Sequence, residues 1–435
     1  MRVRSGALIL SALVTAFFAA SAGWGQETQV EGLRAAAAMR PRDLDAALAL
    51  ERALRRAGRW NEAETELRRA TPLAGPDPKA AAAIDVELAL VYIDRGDFAR
   101  AFATCEKVFA LAGAAAEGHA CVANAHLLRQ RASEALIEAA QALSRDAGCF
   151  DAYVAQGRAY ELELDAGRAE TSLREALRLR PNESEAHRAL GRVLRSQGKK
   201  DEGIAELRKA VDLDPSDPNA CFELAMAIAP GSERARLLER STRERPSFTK
   251  AWVALATERL ESGRISDAKD AADAAARIAP GNVEARLLLG RVALAEGRLD
   301  DAVRAGQQVL QSVANSAPAQ LLVADGSARR GEIDVAIEAY QAAWGLDHGT
   351  PTALVHASDA CHAAGRDTSA RAFGVRATQE FPQWAPAWEA LGNALAAQGE
   401  RQGAREAYSK ALAARDGEVD HDALLKKLTA VSAQW

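Results

Sequence analysis

The side chains best suited to metal chemistry are two histidines and a cysteine that are close together in the sequence. His119 and His126 lie seven residues apart, on one face of a predicted helix, and Cys121 lies between them. Imidazole and thiolate groups are common ligands of zinc. Cys121, however, falls on the opposite side of that helix, so the three groups would not meet around one ion. We therefore expect packing residues here and predict no metal site.

The sequence contains none of the short motifs that hold nucleotides or assemble hydrolytic active sites. GxxxxGK[ST], HExxH, GxSxG and CxxC are all absent. We therefore predict no enzyme activity, no catalytic residues and no cofactor. A net charge of −5, with both signs interspersed, also lacks the basic footprint of a protein that binds nucleic acids.

The composition indicates a helical protein with a substantial core. Apolar residues make up 48% of the chain and charged residues 26%, which is not the composition of a disordered chain. The sequence is rich in Ala, Leu, Glu and Arg, which favour helix. It has no alternating segment rich in Val, Ile and Thr of the kind that forms strands. The predicted fold class is all-α.

Two neighbouring stretches, residues 152–181 and 186–215, align with a shift of 34 residues. Their apolar residues fall on one stripe of a helix, a glycine lies where two helices would join, and a proline ends the second helix. Each copy is therefore predicted to be a pair of helices. The matching pairs are Gly157 and Gly191, Ala169 and Gly203, Leu173 and Leu207, Ala176 and Ala210, and Pro181 and Pro215.

This pattern resembles the tetratricopeptide repeat, a helix–turn–helix unit of 34 residues. The resemblance covers nearly the whole chain after its N-terminal segment, and we count about eleven units between Leu44 and Asp416. It implies a right-handed α-solenoid, a superhelix in which stacked helix pairs bury their apolar faces against one another. The residues that match the family best are Trp252, Leu255, Gly263, Ala268, Pro280, Trp388, Leu391, Gly392, Gly399 and Tyr408.

The same register predicts how the chain is divided. Residues 44–416 form the array, residues 23–43 a linker and an N-terminal capping helix, and residues 417–435 a C-terminal capping helix with Asp420 as its N-cap. One unit, near residues 216–246, is irregular because its bounding prolines are 31 residues apart instead of 34. We expect a kink or an altered superhelical twist at this short unit.

Residues 1–22 have the three parts of a secretory signal peptide. Two arginines precede an apolar run, and Ala20 and Ala22 suit a cleavage site. A retained membrane anchor is the alternative, but the run is shorter than the ~20 residues that a spanning helix needs. No cysteine precedes Cys105, so a lipoprotein is not expected. The prediction is an exported, periplasmic protein without a transmembrane span after cleavage.

Cys105 and Cys121 lie on helices that should be neighbours in the stack. Either a disulfide, in an oxidising compartment, or two buried thiols that act as small apolar side chains fits this placement, and thiols are the commoner case. Five cysteines, odd in number and widely spaced, do not form a disulfide framework.

In tetratricopeptide repeat proteins the first helices line a concave groove that binds a peptide or a helix, and the resemblance implies the same here. Read along the chain, the positions that should face this groove are basic, then apolar, then acidic. Arg188 and Arg192 share one helix face and could bind a carboxylate or a phosphate. The same arginines also fit ordinary solvated positions, and the leucines fit contacts between neighbouring helices. The predicted groove residues are Asn124, Arg158, Arg188, Arg192, Arg195, Leu260, Leu287, Arg291, Leu321, Asp325 and Asp359.

The resulting hypothesis is a non-enzymatic scaffold of the bacterial cell envelope, whose partners are other envelope proteins or peptides. By resemblance, it would serve a multi-protein machine for pilus assembly, motility, secretion or polysaccharide export. The alternative is an assembly factor associated with polysaccharide or peptidoglycan, which should expose aromatic rings that stack on sugars. Trp252 and Trp388 occupy packing positions, and the sequence therefore disfavours this alternative.

Overall fold

The computed structural model describes residues 26–109, 111, 115–417 and 419–432. The predicted signal peptide, residues 1–22, lies outside these ranges. Within them the chain forms 24 α-helices and one short 3-10 turn, Thr71–Ala74, and no β-strand. The all-α prediction is confirmed. Among the described residues, no helix combines the length and the apolar character needed to cross a membrane.

The helices belong to two compact units, which meet in sequence at Ala251 and Trp252. In unit 1, a first helix is followed by six helix pairs, which we number repeats 1 to 6. Its helices are α1 (Gln26–Met39), α2 (Leu44–Arg56), α3 (Trp60–Ala70), α4 (Pro78–Asp94), α5 (Phe98–Phe109), α6 (Ala115–Leu128), α7 (Ala132–Arg145), α8 (Phe150–Leu162), α9 (Ala166–Leu179), α10 (Ser184–Ser196), α11 (Lys200–Leu213), α12 (Pro218–Ala225) and α13 (Ser232–Glu244).

Unit 2 contains repeats 7 to 11 and a last single helix, and the first turn of α14 spans the boundary. Its helices are α14 (Thr249–Glu261), α15 (Ile265–Ile278), α16 (Val283–Ala295), α17 (Leu299–Ser312), α18 (Ala317–Arg329), α19 (Ile333–Leu346), α20 (Thr352–Ala363), α21 (Asp367–Glu380), α22 (Ala385–Ala397), α23 (Arg401–Ala413) and α24 (His421–Ser432). The described part of the chain thus holds eleven helix pairs, as the repeat count predicts.

Small residues let the two helices of a repeat approach closely. Gly191 of α10 is buried against α11, and a Cβ atom at this position would lie 2.7 Å from Leu207 Cγ and 2.9 Å from the Gly203 carbonyl oxygen. Neither distance is compatible with a larger residue unless the helices move apart. The periodic alanines and leucines, among them Leu173 and Leu207, are fully buried. The predicted packing stripe is confirmed.

The turn between the two helices of a repeat requires a left-handed residue. Glycine supplies it in most repeats, for example Gly58 with φ 72° and Gly198 with φ 80°, because glycine has no Cβ to clash. Repeats 3 and 4 place Gln130 (φ 58°) and Leu164 (φ 60°) in the same position. The Leu164 side chain is 90% exposed, so burial does not compensate for this conformation.

The short repeat loses its length from its first helix. Helix α12 has 8 residues, whereas α10 has 13 and α4 has 17. Asp217 caps its N-terminus by accepting a hydrogen bond from the Asn219 amide. A kink at this repeat stays a prediction.

The last helix, α24, covers the end of unit 2. The Asp420 carboxylate accepts a hydrogen bond from the Ala423 amide at 3.0 Å, so the predicted N-cap is confirmed. Leu424 is fully buried in a cluster that also contains Leu391, Leu395 and Tyr408. The helix therefore buries apolar surface that repeat 11 would otherwise expose.

Cys105 of α5 and Cys121 of α6 form a disulfide, with 5.6 Å between their Cα atoms. The interpretation of this pair as two buried thiols is therefore wrong. The adjacent histidines pack as expected: the His119 ring meets the edge of Phe109, and the His126 ring that of Phe102. Over the described residues, no group of three His, Cys, Asp or Glu side chains could hold a metal ion.

Candidate functional site

Consecutive first helices contact one another from α2 to α12 in unit 1 and from α16 to α22 in unit 2, so their polar sides form a continuous surface along each of these stretches. We call this surface the first-helix face. In unit 1 it carries the predicted arginines on α8 and α10. The neighbouring first helices supply carboxylates beside these arginines, and the carboxylates form ion pairs with them.

Arg188 and Arg192 lie on one face of α10 and share a carboxylate from α12. Their Nη1 atoms are 2.8 and 3.2 Å from Glu223 Oε1. Arg192 also binds Glu161 of α8 in a bidentate manner, through Nε at 2.9 Å and Nη2 at 2.7 Å. We call these four residues the arginine cluster. It joins three consecutive repeats through charge-assisted hydrogen bonds.

The cluster is half-buried. The side chains of Arg188 and Arg192 are 18% and 30% exposed, and that of Glu223 is 17% exposed. Burial lowers the pKa of Arg188, but the charges of Glu223 and Asp217 outweigh burial and raise this pKa above its ordinary value. Both guanidinium groups therefore stay charged. Glu223 Oε2 is buried and has no hydrogen-bond partner, so Glu223 uses only part of its hydrogen-bonding capacity.

The other predicted residues of unit 1 lie nearby and are also engaged within the chain. Arg158 is 3.4 Å from Glu185, the Arg195 guanidinium donates to the Met226 carbonyl at 3.3 Å, and Asn124 donates to the Ala120 carbonyl at 3.2 Å. The structure thus brings Arg158, Arg188, Arg192 and Arg195 together on α8 and α10. Asn124 lies on α6, one repeat earlier.

In unit 2 the predicted leucines are half-buried. Leu287 packs against a cluster that contains Leu322, and Leu321 packs against two further core clusters. They therefore contribute to contacts between neighbouring helices as well as to the first-helix face. Leu260 is half-buried too, and Arg291 is exposed.

The acidic end of the predicted row lies on α18 and α20. Asp325 accepts a hydrogen bond from the Tyr340 hydroxyl at 2.7 Å and lies 3.0 Å from His356 Nδ1. The hydrogen bond to Asp325 raises the pKa of His356. Burial raises the pKa of Asp359. This end of unit 2 therefore combines a histidine that gains a proton easily with two carboxyl groups.

A second charge cluster, in repeats 1 and 2, was not predicted. Glu51, at 0% exposure, lies 3.6 Å from Arg55. Arg55 also pairs with Glu87 at 3.6 Å and with Asp94 at 3.1 Å. Burial, reinforced by the charge of Glu87, raises the pKa of Glu51 to about 8. Glutamate at a position that faces the core was the signal in the sequence, because charged residues are rarely fully buried.

Repeat 1 also touches the loops that precede and follow repeat 6, a contact that sequence reasoning missed. Arg56 Nη1 is 2.7 Å from Asp214 Oδ2 and 3.5 Å from Ser216 Oγ, and the Arg245 Nε donates to the Arg56 carbonyl at 3.1 Å. We call these four residues the closing contact. Arg56 is 160 residues from Ser216 and 189 residues from Arg245 in sequence, and no local sequence pattern predicts contacts over such separations.

Stacked helix pairs with small residues at each crossing and a polar first-helix face define a helical repeat protein. A family model described as "Tetratricopeptide repeat" matches residues 154–218, 253–317 and 324–385. These stretches fall in both units. The chain thus carries tetratricopeptide repeats in both units.

Several solved structures are similar to this chain. Yeast Tom70 is 14% identical with a TM-score of 0.45, and the match covers 89% of this chain and 95% of that one. Pseudomonas aeruginosa pilF is 20% identical with a TM-score of 0.44, covering 47% and 95%. Cut9 with Hcn1, from an APC/C hetero-tetramer, is 13% identical with a TM-score of 0.46, covering 93% of both chains. No curated protein matches this chain.

Proposed function

We propose that this protein is a non-enzymatic scaffold that holds a partner protein on the first-helix face of unit 1. Protein–protein interaction is the general role of the tetratricopeptide repeat family. The observation that carries the proposal is the arginine cluster, in which two guanidinium groups of one helix share the carboxylate of Glu223. A partner carboxylate would take the place of Glu223 without leaving either guanidinium group unpaired.

The exchange explains how a site whose charges are already paired still binds. Separating Arg188 and Arg192 from Glu223 with no replacement would leave charges half-buried and unpaired, which is costly. An acidic side chain or a C-terminal carboxylate replaces one pair with an equivalent one. Glu223, close to α12's C-terminus, then regains contact with water. The preferred partner segment is therefore acidic and presents its carboxylate to α10.

We further propose that the protein is exported and acts in the bacterial cell envelope. The N-terminal sequence supports export, because basic residues, an apolar run and Ala20-x-Ala22 follow in the order of a signal peptide. The disulfide between Cys105 and Cys121 also supports it, since disulfides persist in oxidising compartments. The proposed setting is a multi-protein machine for pilus assembly, motility, secretion or polysaccharide export.

Sugar binding is the weaker proposal. Trp388 is the indole that would stack on a sugar ring. It donates its Nε1 hydrogen to the Pro382 carbonyl at 2.9 Å, and the Lys410 ammonium lies 4.4 Å from the centre of its ring. One face of the indole is thus already covered by a side chain of the same repeat.

The test compares two double variants. One carries Arg188→Gln and Arg192→Gln together, and the control carries Arg174→Gln and Arg178→Gln together. The control pair has the same spacing of four residues, on α9, and makes exposed ion pairs within that helix. Partners are purified from a periplasmic extract and identified by mass spectrometry. Their affinity is then measured with purified components. We expect at least a tenfold loss for the α10 variant only, with unchanged circular dichroism. Equal affinity in both variants would refute the proposal.

A further inference from the structure

The closing contact is built from groups that are held in place on both sides. Ser216 donates to Asp214 Oδ1 through its hydroxyl at 2.7 Å and its amide at 3.1 Å, which leaves Oδ2 for Arg56. Arg245 is positioned by Asn219, whose Oδ1 accepts from Nη1 at 3.2 Å, and by the ring of Phe248. Contacts that do not involve repeat 1 therefore hold both loops in their conformations.

On the other side, the contact uses the C-terminal end of α2. Arg56 is the last residue of this helix, and the last carbonyl groups of a helix have no partner within it. Arg245 supplies the missing donor to the Arg56 carbonyl and places a cation where the helix dipole favours one. Beyond it, Gly58 lies near Ser247: a Cβ atom on Gly58 would be 3.5 Å from Ser247 Oγ.

Because of this contact, unit 1 forms a closed turn in which repeat 1 meets repeat 6. Charges from repeats 1, 4 and 5 act on one carboxyl group of this turn. Burial raises the pKa of Glu185, but the charges of Arg158 and Arg188, beside it, and of Arg55, in repeat 1, together hold this pKa below its ordinary value. The arginine cluster lies on the first helices of repeats 4, 5 and 6, within the same closed turn.

We propose that the closing contact is a gate: while it is made, a looped or folded partner segment cannot reach the arginine cluster, and its opening admits the segment. The contact is polar and small, with the Arg56 side chain 36% exposed, so it opens more easily than the apolar stacking between repeats. It also flanks repeat 6, whose first helix, α12, carries Glu223. Opening therefore loosens the helix whose carboxylate a partner must displace.

The gating of a partner rests on the proposed function, but the gate itself is tested without one. A cysteine replaces Asp151, an exposed residue in the first turn of α8, the first helix of repeat 4. The probe is a maleimide carrying a polyethylene glycol chain of about 5 kDa, and the reaction rate is followed in the full-length chain. The parent, Asp151→Cys, is compared with three variants of itself. The first adds Arg56→Glu, the second adds the charge swap Arg56→Glu and Asp214→Arg, and the third adds Arg178→Glu as the control.

We expect Arg56→Glu to speed labelling at least fivefold, the charge swap to restore the slow rate, and Arg178→Glu to change nothing. Arg178 makes an exposed ion pair with Glu175 within α9, so this variant reports the effect of charge reversal away from the closing contact. A rate in Arg56→Glu within twofold of the parent would overturn the gate.

If Arg56→Glu loses helicity, a locked variant decides instead. Gly58→Cys with Ser247→Cys should form a disulfide across the contact, since Gln130 and Leu164 show that a side chain is tolerated at this turn position. The oxidised form should label more slowly than the parent, and equal rates would overturn the proposal. If the gate behaves as expected while the Arg188 and Arg192 variant binds normally, only the proposed function fails.

Discussion

Leu164 occupies a turn position with φ 60° and leaves 90% of its surface in water. A left-handed conformation costs a side chain with a Cβ about 1–2 kcal/mol, and the exposed leucine recovers little of this by packing. Replacement by glycine removes the strain, although it increases the entropy of the unfolded chain.

We therefore expect Leu164→Gly to raise the free energy of unfolding by up to about 1 kcal/mol, as measured by urea denaturation. Gly198→Leu is the matched control. Gly198 has φ 80°, and a Cβ atom added to it would meet no other atom within 4 Å, so this change adds strain without a clash and should destabilise. If Leu164→Gly instead destabilises the protein, the leucine makes a stabilising contact that outweighs its backbone strain.

Glu51 predicts a pH dependence of stability. Burial and the charge of Glu87 raise the pKa of Glu51 from its ordinary 4.5 to about 8, so the folded state favours the protonated carboxyl. Stability from this group is complete below about pH 4.5 and is lost as the pH rises towards 8, with a limiting slope of about 1.4 kcal/mol per pH unit.

Glu51→Gln keeps a neutral group of similar shape. It should have little effect on the thermal unfolding midpoint at pH 5 and should raise it at pH 8.5. Glu175→Gln, at an exposed position on α9, provides the control. An equal effect of Glu51→Gln at both pH values would mean that Glu51 stays charged in the fold.

At the level of elements, the disulfide fastens the second helix of repeat 2 to the first helix of repeat 3. Its two cysteines are 16 residues apart, and a closed loop of this length restricts the unfolded chain by about 3 kcal/mol on the chain-entropy model. Reduction should therefore lower the stability of these two repeats by roughly 2–3 kcal/mol. Hydrogen exchange of α5 and α6 measures this locally.

Cys105→Ala with Cys121→Ala should behave like the reduced protein and become insensitive to reductant. Cys361→Ala, which removes a free buried thiol, should leave the response to reductant intact. Peptide mapping without reduction identifies the Cys105–Cys121 linkage directly. Recovery of both cysteines as free thiols in protein purified from an oxidising compartment would contradict the pairing.

The sequence predicts the helix pairs well because each repeat carries its own signals for a turn and an end. Glycine at the turns, as at Gly198, and proline after the second helix, as at Pro181, act within a few residues. The ion pairs of the predicted arginines could be predicted in part, since Glu161, which pairs with Arg192, and Glu185, which pairs with Arg158, occupy groove-facing positions of their repeats. Their pairing depends on how adjacent repeats are set against each other, which no single repeat encodes.

At the scale of the whole chain, the two units were not foreseen, and neither was the closing contact. The 31-residue spacing between Pro215 and Pro246 marked repeat 6 as irregular, and both loops of the closing contact flank this repeat. The sequence thus identified repeat 6 as irregular but did not predict its contact with repeat 1. The contact depends on the accumulated rotation of five preceding repeats, and small errors in each rotation would displace it.

The closing contact changes how unit 1 should fold. An open array of repeats behaves as a chain of nearest neighbours, in which each repeat responds only to the two beside it. Here residues 189 positions apart are joined. The stability of repeat 1 is therefore coupled to that of repeat 6, although the two lie at opposite ends of the unit's sequence. Such a non-local pairing forms after the local helix pairs, because its loop must first be closed. Unit 1 therefore has a final step in which its two ends lose their independence and unfold together.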